Sequence, residues 1–325
     1  MTAPLPHRAT GQNGVAVARR TAPQLDYSKV RAYWKRARPS LLGPYMMDGF
    51  GFPAGAGSFR FRGELRSVTD AIKNLRSSIS VLDFGSGAGV WTEYFAQRFS
   101  NVVSVEASPA LFESLQERCS CYPNVATFNE DVRSFAPQGK FGLVFLGGLL
   151  MYLDDGDVRT LLCKLIPCLE PGALVLCRES TIRHGVRAVQ GDYQVVYRSV
   201  ETYRSILVDA GFDIVSVQPN TAYINVQMAC ELIKKWKALV GTTSTGGDRF
   251  QCLPVVGRLA YWGLRLGYPW NTRLIPWLLA RMGREFPKLT NHFFVLKQSV
   301  PAPARRRDAS LHGARIEEEL LENAR

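Results

Sequence analysis

The segment Val81-Leu-Asp-Phe-Gly-Ser-Gly-Ala-Gly89 ends an apolar run in a carboxylate and then spaces three glycines two apart. Glycine tolerates positive φ and lets a ligand approach the backbone closely. Asp83, Gly85, Ser86, Gly87 and Gly89 therefore read as a turn that wraps a ligand at the end of a strand. Two more acids follow the next two apolar runs. Glu106 is suited to accept both hydroxyls of a ribose, and Asp131 to meet an adenine amino group, with Val132 and Leu146 at the same edge. A glycine triplet alone is weak evidence, but glycine turn, Glu106 and Asp131 in that order are specific for an adenosyl ligand. A diphosphate would call for G-x-G-x-x-G and the N-terminus of a helix.

A second concentration of ionisable groups runs from Arg178 to Arg198. Asp192 is the candidate base or ammonium-binding group, with Glu179, His184 and Tyr197 as further catalytic candidates. Arg178 and Arg198, with Tyr152 upstream, are candidates to hold a substrate. Each has a plainer reading. Glu179 and Arg178 can pair with each other, His184 suits a surface loop, and Tyr197 and Arg198 can anchor the helix that follows. Tyr33, Trp34 and Tyr45 can pack on a cation or close a pocket, or form ordinary core. Asp154, Asp155 and Asp157 fit the cap and first turn of a helix better than a metal site. The seven cysteines lack ligand spacing and read as reduced thiols, so no metal is expected.

The elements that position these groups alternate short apolar runs with amphipathic stretches. Strands are expected at 80–84, 102–105, 125–128, 141–146, 173–177 and 212–217, with a seventh at 292–296. Helices are expected at 90–99, 109–118 (Ser108 as N-cap), 157–169 and 200–210. This pattern predicts an α/β fold, a Rossmann-like seven-stranded and mostly parallel sheet with helices on both faces. The ligand lies at the carboxyl edge of the strands. The expected organisation is a disordered arm (1–25), an N-terminal helical cap (26–76), a core (77–227 plus 288–299), a helical insertion before the last strand (228–287) and a polar tail (300–325).

Asp83 to Gly89, Glu106, Asp131 and the Leu169-Glu-Pro-Gly172 turn resemble class I S-adenosylmethionine-dependent methyltransferases, over roughly residues 60–225 plus 290–298. The resemblance implies S-adenosyl-L-methionine as cofactor and an in-line methyl transfer, in which the enzyme aligns the acceptor and excludes water. Gly147-Gly-Leu-Leu-Met-Tyr152 is not the Asn/Asp-Pro-Pro-Tyr of base amino-methyltransferases and suits a small or medium acceptor. Over short patches, Tyr27-Ser-Lys and Tyr33-Trp34 also look like the opening segment of protein α-N-terminal methyltransferases. That likeness implies a cap over the cofactor and an amine acceptor. Asp192 falls where that family has a catalytic aspartate; Ser180 falls where it has an asparagine, a departure that puts peptide specificity in doubt.

The net charge of +12 is uneven: +9 over residues 1–80, −5 over 81–230 and +8 over 231–325. Basic flanks suit an anionic partner. Residues 255–286 interleave Trp262, Trp270 and Trp277 with five arginines. This mix suits a lid, a contact between copies in a homo-oligomer, or peripheral membrane contact. Nucleic acid weighs least, because no RNA-binding module accompanies it. No apolar run spans a bilayer and no signal peptide is legible, which points to the cytoplasm, at or away from a membrane face. The leading expectation is methyl transfer to an amine or hydroxyl of a small-molecule or lipid acceptor. A protein or peptide N-methyltransferase, and a non-catalytic scaffold that binds the cofactor, stay open.

Overall fold

The computed structural model describes residues 24–36, 56–240 and 255–299. The core is a sheet in which β1 (Ser80–Phe84), β2 (Asn101–Val105), β3 (Val125–Phe128), β4 (Phe141–Leu146) and β5 (Leu169–Ile182) run parallel in the spatial order β3-β2-β1-β4-β5. The final strand, β9 (Thr290–Gln298), lies antiparallel on the other side of β5, and β8 (Phe212–Pro219) pairs antiparallel with β9. These seven are the strands legible from apolar periodicity. The sheet has nine, however. β6 (Val186–Val189) and β7 (Val195–Ser199) form a hairpin whose β7 pairs with Thr181 and Ile182, because β5 continues five residues past Cys177.

Strand alternation sorts the core onto two faces. Leu82, Phe84, Val144 and Leu146 pack with α5 (Asp155–Leu165) and α6 (Val200–Asp209) through Leu161, Leu162, Tyr203 and Leu207. Val81, Leu143 and Phe145 pack on the opposite face with Trp91 and Phe95 of α3 (Val90–Ala96) and Val68 and Ile72 of α2 (Ala56–Ile72). α4 (Pro109–Cys119) follows β2. The order in which successive strands are added reverses between β1 and β4, the switch point where such sheets open a crevice for ligands.

Two additions flank that crevice. α1 (Tyr27–Lys35), capped by Asp26, lies across the carboxyl edge. The Tyr27 hydroxyl donates to Asp157 and accepts from the Asp154 N–H at 3.0 Å, and the Leu25 N–H donates to Asp154 at 2.9 Å. On the other side, α7 (Thr221–Val240) crosses α2 so closely that a Cβ at Gly63 would collide with that of Ala222. α8 (Val255–Leu266) and α9 (Asn271–Arg281) pack on α7 through Leu264, Ile275 and Leu279 against Ile224, Met228 and Ala229. Residues 1–23 of the expected arm, the expected tail, and Tyr45 of the expected cap lie outside the described residues, whereas Leu25, at the end of the expected arm, is buried and bonded to Asp154.

Candidate active site

The glycine turn sits between β1 and α3, and all three of its glycines have positive φ: 74° at Gly85, 59° at Gly87 and 79° at Gly89. At Gly85 a Cβ would press on Leu149 at 3.0 Å, and at Gly89 on Leu115 at 2.7 Å, so space as well as conformation demands glycine there. Glu106, at the end of β2, is almost wholly buried. Its Oε2 accepts from the Gly87 N–H and its Oε1 from the Ser108 N–H, each at 2.8 Å. Each oxygen retains a second acceptor direction, so the carboxylate fixes the turn and can still meet a pair of hydroxyls. Burial raises its pKa against the backbone N–H groups of Ser108, Gly87 and Ala107. Asp83 is buried beside it and takes the Thr92 hydroxyl at 2.6 Å, which itself accepts from Ser104 at 2.9 Å. Burial pushes Asp83 up to about 7, with the Glu106 charge adding to the rise. A cationic ligand would favour its ionised form.

These groups line one cavity of about 680 Å³, within the rough 300–1,000 Å³ range of small-molecule sites. Asp83, Gly85, Ser86, Gly87, Glu106, Asp131 and Val132 all face it, and α1 closes over it with Trp34. The Ser108 hydroxyl, expected to cap α4, instead donates to the Trp34 carbonyl at 2.8 Å and ties α1 to the loop after β2. Asp131 departs from the simple adenine-acceptor picture. Arg133 grips its carboxylate through Nε and Nη2, at 3.1 and 2.7 Å, while stacking over the Tyr27 ring at 3.7 Å. Burial pushes Asp131 up, but the Arg133 bonds and charge outweigh it and hold the carboxyl below its ordinary value. Gly89 and Leu146 are not among the lining residues; Gly89 caps α3 and Leu146 is buried in the core.

Opposite the glycine turn, the chain after β4 lines the cavity with Gly147, Gly148, Leu149, Met151, Tyr152 and Leu153. Two residues expected to act on a substrate hold this segment from behind. Glu179 takes the N–H groups of Leu149 and Leu150, both at 3.0 Å. Arg198 donates to the carbonyls of Leu150 at 2.9 Å and Leu153 at 2.7 Å and pairs with Asp155 at 2.7 Å. Burial raises Glu179 to about 7. On β5, alternation turns Arg178 and Ser180 toward the cavity and Glu179 away from it. Arg178 pairs with buried Glu64 of α2 at 3.3 Å rather than with Glu179, and donates to the Gly147 carbonyl. Arg60, one turn before Glu64, pairs with it at 2.6 Å and also lines the cavity. Asn291 on β9 stands opposite Ser180 in register, so an asparagine reaches that corner from a neighbouring strand.

The remaining wall is aromatic. Trp34 and Tyr152 meet edge to face at 5.4 Å, Tyr33 lies 4.9 Å from Tyr193, and the Tyr152 and Tyr193 hydroxyls are 3.3 Å apart. Tyr197 is buried with Tyr152, Tyr193 and Val195 behind the wall and does not line the cavity. The structure does not bring Asp192 or His184 to the site. Both are exposed on the chain around the β6–β7 hairpin, because the extension of β5 carries 183–192 beyond the crevice. Arg60, Trp91 and Asn291 line the cavity without standing out in the sequence, and Ser108, which stood out only as a helix cap, lines it too. Asn291 directly precedes the apolar run 292–296, and that position at a strand end was the signal within reach.

Residues 81–172 match the family model described as Methyltransferase domain. The chain is 27% identical over 205 residues to alpha N-terminal protein methyltransferase 1 of Drosophila melanogaster, covering 60% of this chain and 70% of that protein. It is 32% identical over 104 residues to phosphoethanolamine N-methyltransferase 3 of Arabidopsis thaliana, covering 31% of this chain but only 21% of that one. Among solved structures, the 4+2 cyclase SpnF superposes with a TM-score of 0.51 at 14% identity, over 84% of this chain and 93% of the other; that likeness concerns the fold alone. The matched segment and the sheet order together mark a class I methyltransferase. Its cofactor is S-adenosyl-L-methionine, and the chain is an S-adenosylmethionine-dependent methyltransferase.

Proposed function

We propose that the chain methylates an amine nitrogen of a small-molecule or lipid acceptor, in the cytoplasm or at a membrane face. The observation that carries this reading is the lining of the acceptor side. Trp34 and Tyr152 present aromatic surface, backed by Tyr33 and Tyr193, and the described acids that line the cavity are Asp83, Glu106 and Asp131, all at the cofactor end. A hydroxyl acceptor needs a base to take its proton. A neutral amine attacks without one and carries its proton on the product nitrogen until solvent removes it. The bound cofactor supplies a methyl group on a sulfonium. The chain's own residues then have three tasks. Trp34 and Tyr152 exclude water and favour positive charge at the acceptor nitrogen. Gly147 and Gly148 let the acceptor approach closely. Glu179 and Arg198 hold the segment bearing Leu149 to Leu153 in shape, as positioning residues. Arg178, Ser180 and Asn291 are the candidates to hold the rest of the acceptor.

A peptide N-terminus is the second reading, supported by α1 and by the 27% identity to the Drosophila protein. It is weakened by the distance of Asp192 from the cavity. The test is release of S-adenosylhomocysteine by the full chain offered matched amines and alcohols, aminophospholipid vesicles and N-terminal peptides. Turnover with an amine metabolite or lipid is expected. Turnover confined to alcohols would refute the nitrogen assignment, and turnover confined to peptides would move it to the second reading.

A further inference from the structure

The α8–α9 pair presents two apolar faces, of which, among the described residues, only the inner one is covered. Leu264, Ile275 and Leu279 pack inward on α7 with Phe286. On α8, Leu259, Trp262 and Leu266 recur at i, i+3 and i+7 and are exposed. Trp270, Leu274, Trp277 and Leu278, followed by Met282, continue the outward stripe along α9. This is the largest collection of exposed large hydrophobic side chains among the described residues: eight of thirteen. Isolated exposed apolar residues need no explanation, but a contiguous stripe marks a contact surface.

Charge decides what the surface fits. Residues 255–289 hold six basic residues and one acid, Glu285. Arg273, Arg281, Arg284 and Lys288 are exposed, and the Arg281 guanidinium rests on the Trp277 ring at 4.1 Å while Arg265 lies over Trp262 at 4.8 Å. Such pairs stack a cation on the Trp262 and Trp277 indoles, a combination that suits a headgroup layer above and acyl chains below. A second copy would set two faces of the same sign against each other. Nucleic acid would use the tryptophans and arginines but would leave Leu259, Leu266, Leu274, Leu278 and Met282 with nothing to stack on. Neither helix crosses a bilayer. α8 has 12 residues, about 18 Å of rise against the roughly 30 Å of a hydrocarbon core, and no described helix is long and apolar enough to span it.

We propose that the outward face of α8–α9 is an interfacial anchor that docks the enzyme on anionic phospholipid membranes, apolar stripe in the acyl boundary and arginines at the phosphates. The anchor is mechanically close to the acceptor side of the cavity. Phe59 of α2 packs against Tyr268 at 5.5 Å and against Arg265 at 4.6 Å, Tyr268 bonds Thr221 at 2.8 Å, and the next residue on α2 is Arg60, which lines the cavity. The docking reading stands on the surface alone and holds whichever acceptor is methylated.

The test is cosedimentation of the full chain with phosphatidylcholine vesicles carrying a quarter phosphatidylserine, at low and physiological salt, beside Trp270→Ala/Trp277→Ala and Arg273→Gln/Arg281→Gln. S-adenosylhomocysteine affinity serves as the check that each variant is folded. The full chain should bind anionic vesicles, bind neutral ones far less, and weaken with salt. Losing two arginines should lower partitioning by about 25-fold, at roughly fivefold each, and losing two tryptophans should release the protein even at low salt. No sedimentation at low salt would overturn the proposal. So would binding by both variants as strong as that of the unmutated chain, which would assign the attraction to other basic segments. So would binding to single-stranded RNA, or dimerisation lost in the tryptophan variant, with no vesicle binding.

Discussion

Replacing Glu106 with glutamine probes the cofactor cradle with almost no change of volume. Both carboxylate oxygens already hold a backbone N–H at 2.8 Å, from Gly87 and from Ser108. Whichever oxygen becomes the amide nitrogen, a donor then faces a donor, and one acceptor for a ribose hydroxyl is lost. A hydrogen bond to a charged group contributes about 1.5–3 kcal/mol, which corresponds to roughly 10- to 150-fold in affinity. S-adenosylhomocysteine binding to Glu106→Gln should weaken by that factor in a calorimetric titration, with circular dichroism unchanged. The product is used so that turnover does not distort the isotherm. An affinity within threefold of wild type, in a folded variant, would refute the assignment of Glu106 to the ligand.

Four more outcomes are expected. Asp83 sits near pKa 7 and must lose its proton to face a cationic ligand, so S-adenosylmethionine affinity should rise with pH through about 7, approaching tenfold per unit below it; Asp83→Asn should flatten that profile. Glu179 is raised from 4.5 to about 7, so the stability it lends is present below the unfolded value and lost as pH rises through about 7; melting temperatures should fall from about pH 5 to about pH 8, less steeply in Glu179→Gln. Gly89→Ala adds left-handed strain of about 1–2 kcal/mol and overpacks Leu115, about 1–3 kcal/mol more, so thermal denaturation should show a loss of several degrees. Asp192→Ala and His184→Ala should each keep steady-state turnover within about twofold, as for ordinary exposed sites, whereas Trp34→Ala should lower kcat/KM by about 2- to 30-fold from lost cation–π contact.

The parallel half of the fold was legible because β1, β2 and β4 are short apolar runs closed by Gly85, Glu106 and Gly147, and they alternate with longer amphipathic stretches. The stretch from 178 to 198 was harder for a specific reason. Its ionisable residues look like a loop over a pocket, yet β5 runs on to Ile182 and a four-residue strand follows, too short to register as a pattern. Once that strand is extended, period-two alternation separates Arg178 and Ser180, which face the cavity, from Glu179, which faces the backbone of the next segment. Buried Glu179 and Arg198 then serve the shape of that segment instead of touching a substrate. Glu64 and Asn291 come to the acceptor corner from α2 and β9, 114 residues before Arg178 and 113 after it. No local spacing could have joined them.

The assignment of the acceptor to nitrogen is tested most directly by locating the transferred methyl group. The full chain is incubated with isotope-labelled S-adenosylmethionine and the amine acceptor that releases the most S-adenosylhomocysteine, and the product is fragmented by tandem mass spectrometry. The labelled methyl is expected on nitrogen, in one-to-one yield with S-adenosylhomocysteine. Label on oxygen, or cofactor consumption with no methylated product, would contradict the proposed role of the aromatic wall.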